Sequence, residues 1–363
     1  MNATKKRGAA LLLALALALS LCACGGGKAD PAPADATAPA ETQEPAKTPD
    51  ETPDETPDET PDEASDETQP AQDGGSQDAA ASAEVSGTPA DTPPEGPPTY
   101  TFENGVLTCS GGGEVQAKGD DGWIKVVQNA IFSTSNDEAR AAVEKVVVEK
   151  GITAIGKSAF FEAKNLKELS LPDGLTSIGG LAFQGSNLTS VQIPDSVTEI
   201  GEQAFCECSA LSSITLPRGL TCISQSLFTN CESLTSIEIP DGVTTIENSA
   251  FMGTRLTELT LPDSVTELSD AIIGFTQVKS IEIPSGVKEL YEPFSACSTL
   301  EEIILHNDIP LEKIEAVFAM PLEASLRNGT ALTVHGPGGG VLEGWMNKQI
   351  SEKYSNCKFV AND

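Results

Sequence analysis

The sequence predicts an α/β repeat solenoid, a coil built from stacked rungs of 22–23 residues, and two observations carry that prediction. Leading apolar residues recur at Val143, Leu166, Leu188, Leu211, Leu234, Leu256, Val278 and Leu300, at intervals of 22 or 23. Between them one pattern returns, L-x-x-I-x-L/I-P-D-x-V-T-x-I-x-x-x-A-F-x-x-C, which residues 211–232 spell as LSSITLPRGLTCISQSLFTNCE. A single rung cannot bury enough apolar surface to offset the entropy of ordering its backbone, so neighbours must stack.

The chain begins with an export signal. Lys5, Lys6 and Arg7 form a basic start, and residues 8–21 form an apolar stretch of 14 residues. That stretch is short of the roughly 20 residues a membrane-spanning helix needs. The run Leu21-Cys22-Ala23-Cys24 resembles the lipobox of bacterial lipoproteins, in which a small residue precedes the acylated cysteine. Ala23 places Cys24 in that role, whereas bulky Leu21 before Cys22 does not suit it. The resemblance implies a chain held at the extracellular face of the bacterial cell membrane, touching the membrane through the Cys24 lipid alone.

Residues 25–98 read as a disordered acidic tether. They hold nineteen acids against two lysines, one valine and no aromatic residue, and repeat Thr-Pro-Asp-Glu through residues 48–63. With so little apolar surface nothing offsets the entropy of ordering, and regular prolines with like charges favour an extended chain. At about 3.1 Å per residue, 74 residues reach roughly 230 Å.

Residues 99–363 add thirty-five acids and seventeen bases, and the whole chain carries −32. Acidic segments of this kind argue against nucleic acid, which needs basic patches that displace counterions from phosphate. They argue equally against a protein face docked on anionic lipid.

Each part of a rung has a physical reading. Leu211, Ile214 and Leu216 form a short extended run into the core, and Pro217 ends it by withholding an N–H. Leu220 and Ile223 bring in a second short strand. The Ala-Phe pair, as in Ala204-Phe205, is expected on a helical turn closing the coil, with Phe205, Phe228 and Phe251 stacked in one column.

These residues resemble the BspA-like bacterial surface leucine-rich repeats, whose pattern is AFxxCxxLxxIxLPxxVTxIG. The resemblance implies a right-handed leucine-rich-repeat coil over residues 143–329. It also implies an N-terminal β-rich cap over 99–142 and a C-terminal strand–helix–strand cap over 330–363. The pattern decays late: Ile272-Ile273 and Phe294-Ser295 stand at the Ala-Phe position, and His306 replaces a proline. Residues 306–329 read as longer than a rung and irregular. Relaxed packing near an end accounts for the decay, the alternative being a surface patch around Phe275, Tyr291 and Phe318.

Catalytic chemistry finds little support. Only His306 and His335 are present, so histidine-rich zinc sites and H-E-x-x-H motifs are absent, and no elbow motif surrounds a serine or cysteine. Gly338-Gly339-Gly340 reads as a turn before a helix, and no cofactor is expected. Cys208, Cys231 and Cys297 sit three residues before a leading leucine, where Ala163, Gly185 and Gly253 stand in other rungs, so they read as compact buried hydrophobes. Cys208 and Cys231, on adjacent rungs, are expected as two free thiols because parallel side chains in register do not point at each other. Cys297 lies too far along the stack to bridge either.

The outward positions of the first strand form a candidate binding face, expected to be continuous: Lys167, Ser170, Gln192, Ser213, Thr215, Ser236, Glu238, Glu258, Thr260, Lys279 and Glu282. It is a Ser/Thr ladder turning acidic toward the C-terminus, without the Trp, Tyr and Arg anchors of tight interfaces. The family resemblance implies a monomeric surface protein binding a protein or glycoprotein of a host or neighbouring cell. A structural envelope protein without a specific ligand is the alternative, and a hydrolase a more distant one.

Overall fold

The computed structural model describes residues 96–117 and 122–362, all within the unit spanning 84–363. The export signal, Cys24 and all but the last three residues of the tether lie outside the described residues.

β1 (Thr99–Glu103) and β2 (Val106–Ser110) form an antiparallel hairpin in which Thr99 faces Ser110. Its turn is Asn104-Gly105, both with positive φ (50° and 81°), the backbone a two-residue hairpin loop demands. β3 (Gly113–Val115) follows, then two helices, α1 (Trp123–Ile131) and α2 (Asn136–Ala142). The expectation of a β-rich segment over 99–142 is therefore corrected. In α1 Trp123, Ile124 and Val127 are buried on one face. In α2 the hydroxyl of Ser135 accepts from the Glu138 N–H, the S-x-x-E arrangement that starts a helix.

The rungs that follow place short strands in two parallel stacks. They are β4 (Lys145–Val148), β5 (Ile152–Ile155), β6 (Glu168–Ser170), β7 (Ser177–Ile178), β8 (Ser190–Gln192), β9 (Glu199–Ile200), β10 (Ser213–Thr215), β11 (Cys222–Ile223), β12 (Thr245–Ile246), β13 (Glu267–Leu268), β14 (Ser280–Ile283), β15 (Glu289–Leu290) and β16 (Glu302–Leu305). Paired residues are 22 or 23 apart, as in Ser190 with Ser213 and Glu267 with Glu289.

Neither stack is one unbroken sheet, and their interruptions are offset. The second-strand stack runs β3-β5-β7-β9, stops, and resumes as β11-β12-β13-β15. At that gap the first-strand stack holds, through β8 and β10. The first-strand stack has two gaps of its own, one between β6 and β8, where β7 and β9 stay paired, and one between β10 and β14, where β11 to β15 run without a break.

The gap after β9 coincides with the end of a column of closely packed glycines. Gly156, Gly179 and Gly201 follow the second strands, and a Cβ on Gly201 would lie 2.4 Å from the Gly180 nitrogen. Their N–H groups continue the ladder, Gly179 to the Ile155 carbonyl and Gly201 to that of Ile178. The next residue in the column is Ser224, whose hydroxyl itself donates to the Ile200 carbonyl. The backbone ladder skips Ser224 and restarts with Glu247 N–H on the Ile223 carbonyl.

The Ala-Phe segments are not helical turns, which corrects the sequence expectation. N–H groups of Gln203, Phe205 and Glu207 donate across to Gln225, Leu227 and Thr229 of the next rung, while Ala204, Cys206 and Cys208 bond back three residues. A helix would spend all of these bonds within itself; here half are spent between rungs, making a third ladder. The price is positive φ at two columns, one of them Ser158, Leu181, Gln203, Ser226, Ser249 and Ala271. Pro293 stands 22 residues after Ala271, and its ring holds φ near −65°, so positive φ does not return there. The repeat degenerates at that rung.

The core column forms as expected. Phe160, Phe183, Phe205, Phe228 and Phe251 stack with centroids 5.3 to 6.2 Å apart. Trp123 of α1 covers the first ring at 5.5 Å and donates its indole N–H to Ala159 at 2.8 Å.

Residues 306–329, expected as irregular, hold instead an 18-residue helix, α3 (Leu311–Asn328), between β16 and the next strand. Phe318 of this helix is fully buried, so it forms no surface patch with Phe275 and Tyr291, which are exposed. The chain then runs β17 (Thr333–Pro337), α4 (Val341–Glu352) and β18 (Lys358–Asn362), and both strands extend the sheet begun by β14 and β16. Asp308 accepts from the N–H groups of Val341 and Leu342, tying the start of α4 to the loop after β16.

Candidate binding face

Strand alternation places the candidate residues. In β8 Val191 is buried between exposed Ser190 and Gln192, and in β10 Ile214 is buried between Ser213 and Thr215. All eleven candidate positions, Lys167 through Glu282, are exposed. The face is not the continuous sheet expected. Ser236, Glu238, Glu258 and Thr260 fall in the gap between β10 and β14, where rungs keep isolated bonds such as Arg255 N–H to the Leu234 carbonyl.

The structure gathers these residues into two grooves. Gln192, Thr215 and Glu238, from three successive rungs, line one of about 490 Å³. Glu258, Thr260 and Glu282 line another of about 590 Å³. Lys167, Ser170, Ser213, Ser236 and Lys279 line neither. Among the groove residues outside the candidate face are Arg218 and His306. Arg218 stands where other rungs have the aspartate after proline, and its guanidinium lies 3.5 Å from Asp195. His306, in the proline position, meets Glu282 at 2.6 Å across the second groove. Both were visible as departures from the repeat.

Charge is settled differently along the face. At the N-terminal end Lys145 bonds Glu168 at 2.8 Å, and that hydrogen bond holds the Glu168 carboxyl below its ordinary pKa. Lys279 is likewise held by Glu301 at 2.8 Å.

The family model described as BspA type leucine rich repeat region matches residues 138–253 and 221–319, in six copies. The chain belongs to this family. Among solved structures, a leucine-rich repeat protein from Bacteroides ovatus is 22% identical, with 66% of this chain and 69% of that one covered and a TM-score of 0.44. A leucine rich cell surface protein from Faecalibacterium prausnitzii is 22% identical, covering 57% and 69%, with a TM-score of 0.31. A leucine-rich repeat protein of T. pallidum is 20% identical, covering 74% and 100%, with a TM-score of 0.34. No curated protein sequence matches the chain.

The histidines of this BspA-type repeat chain both meet carboxylates. His335 lies 3.0 Å from Glu302, which also accepts from the Ser280 hydroxyl at 2.8 Å. The carboxylate thus stands between serine and imidazole, the reverse of the order in which a histidine activates a nucleophile. Among the described residues no three histidine, cysteine or acidic side chains group as metal ligands. Nor is any helix among them long and apolar enough to cross a membrane.

The cysteine column of this BspA-type chain needs a correction. Counting back from the leading leucine paired Cys208 with Gly185 and Gly253, but rungs of 22 and 23 residues put that count out of step. Counted from the phenylalanine, the column is Ala163, Ser186, Cys208, Cys231, Thr254, Thr276 and Cys297. Most of its members are hydrogen-bond donors. Cys208 donates to the Phe183 carbonyl at 3.2 Å, Cys231 to Phe205 at 3.1 Å, and Thr254 to Phe251 at 2.8 Å. The two thiols therefore point the same way along the stack, each at a backbone acceptor. Burial pushes Cys109, Cys208 and Cys297 up to about 12.

Proposed function

We propose that this chain is a lipid-anchored bacterial surface protein that binds a protein or glycoprotein of a host or neighbouring cell through its first-strand face. BspA-type leucine-rich-repeat proteins are bacterial surface proteins, and protein binding suits their fold. The observation that carries the reading is the face itself, with eleven exposed polar positions over a buried apolar layer and two grooves cut into it. In this reading residues 1–24 direct export, Cys24 carries the lipid, and 25–98 space the solenoid from the membrane. Residues 99–142 and 330–363 cover the ends of repeats 143–329.

Two experiments test it. Cys24→Ala should move the protein from the membrane fraction to the medium, and continued retention there would refute the anchor. The full chain, displayed against an array of host and bacterial-surface glycoproteins, should find a ligand that the double variant Gln192→Arg, Thr215→Arg no longer binds. An array without a ligand would favour a purely structural envelope role, and a ligand that the variant still binds would overturn the assignment to this face.

A further inference from the structure

The second groove differs from the first in how its charges are met. Its rim carries Glu258, Asp263 and Glu282, while Leu259, Leu261 and Ile304 add apolar lining. Among the described residues Glu258 and Asp263 have no hydrogen-bond or ion-pair partner. Glu282 meets only His306, and the neighbouring Lys279 is already engaged by Glu301. In the first groove Arg218 answers Asp195 from within the chain and, among the described residues, leaves Asp173 and Glu238 without a partner, whereas the second groove has no lysine or arginine in its lining.

We propose that the second groove docks an extended peptide segment bearing lysine or arginine side chains. This rests on the reading that the first-strand face binds a macromolecule, and it names the chemistry of the part of the partner that enters this groove. A long cationic side chain joins an apolar stem to a charged head. The groove presents the matching pair, apolar lining below and uncompensated carboxylates at the rim. A carbohydrate fits less well, because the lining holds no tryptophan, tyrosine or phenylalanine ring on which a sugar could stack. Opposed charge in such a groove also speeds encounter and rejects acidic segments, so it serves selectivity as well as affinity.

The test must separate the groove from the general attraction of a chain carrying −32. The probe is a fluorescein-labelled peptide of alternating lysine and serine, with an alternating glutamate–serine peptide as its counterpart. Binding to the full chain is read by fluorescence anisotropy at physiological salt, where long-range attraction is screened beyond about 8 Å. The groove variant is Glu258→Gln, Asp263→Asn, Glu282→Gln. The comparison variant, Glu199→Gln, Glu267→Gln, Glu315→Gln, removes as much charge elsewhere. All six positions lie outside the buried core, and circular dichroism verifies that both variants fold. We expect the lysine peptide to bind, to lose at least tenfold in affinity in the groove variant, and to change less than twofold in the comparison variant. Equal losses in both variants, no loss in either, or no binding of the lysine peptide would overturn the proposal. An array ligand lost in the Gln192→Arg, Thr215→Arg variant but kept in the groove variant overturns this inference while leaving the binding reading intact.

Discussion

The hydroxyl of Ser224 donates to the carbonyl of Ile200, the acceptor that the ladder would otherwise offer to the Ser224 N–H. The backbone ladder skips that step, whereas Thr176 spends both its N–H and its hydroxyl on the Thr153 carbonyl. Short polar side chains can compete with backbone pairing in the way Ser224 does.

Replacing Ser224 with glycine should continue the column of Gly156, Gly179 and Gly201. The expected outcome is at least tenfold more hydrogen-exchange protection at amide 224, with global stability changed by less than about 1 kcal/mol, since one hydrogen bond replaces another. Unchanged exchange would mean that the hydroxyl does not cause the gap.

The ring column sets a contrast between inside and outside. Phe205→Ala, Phe228→Ala or Phe251→Ala should each cost about 3–5 kcal/mol in chemical denaturation. Ser213→Ala, on the exposed face, should stay within about 0.5 kcal/mol. Equal effects would place the inner and outer faces wrongly.

Thiol chemistry reports the cysteine column. Cys109, Cys208 and Cys297, held near 12 by burial, should resist alkylation in the folded protein at pH 8 and react fully once it is denatured. Peptide mapping of the denatured, non-reduced chain should show Cys208, Cys231 and Cys297 all labelled. A mapped bridge from Cys297 to either of the others would break the alignment of the rungs.

A pH effect should appear where α3 meets α4. Glu323 accepts from Lys353 and, at 3.0 Å, from the Tyr354 hydroxyl, and the Lys353 bond is the chief reason its carboxyl lies below the ordinary value. A depressed carboxyl contributes stability that is present above its unfolded pKa and is lost as pH falls through the folded one. The melting temperatures of the native chain and of Glu323→Gln should therefore differ at neutral pH and converge in acid below the usual carboxylate range. The gap should be small because the pair is largely exposed. A difference that persists undiminished in acid would assign the effect to packing.

How far the sequence could be read depended on whether a feature repeats. Phe205 and its relatives recur, so their column was legible, as were the exposed face positions flanking Val191 and Ile214. Singular features were harder. The helix over 311–328 occurs once, and it carries Pro321, a residue that helix interiors disfavour. The closing turn was misread because Ala-Phe suggests a helix, whereas positive φ at Gln203 and Glu207 leaves little trace in residue type. Counting from leucine alone hid the donors Ser186 and Thr254, since a single inserted residue between phenylalanine and leucine shifts the register. Arg218 was passed over, and His306 was noted only as a lost proline, because attention to the consensus discounts what its exceptions can do.

The offset between the two sets of gaps has a mechanical meaning. Were both stacks interrupted at one level, the coil would own a seam, and a pull along its length would open there first. With seams staggered, as in bonded brickwork, a crack starting beside Ile200 meets the intact pairing of Ser190 with Ser213, and one starting beyond Thr215 meets Thr245 bound to Cys222 and Glu267. A protein held at one end and gripping a partner on its flank would then bear tension as a single strut, yielding by fraying at its ends before it parts in the middle.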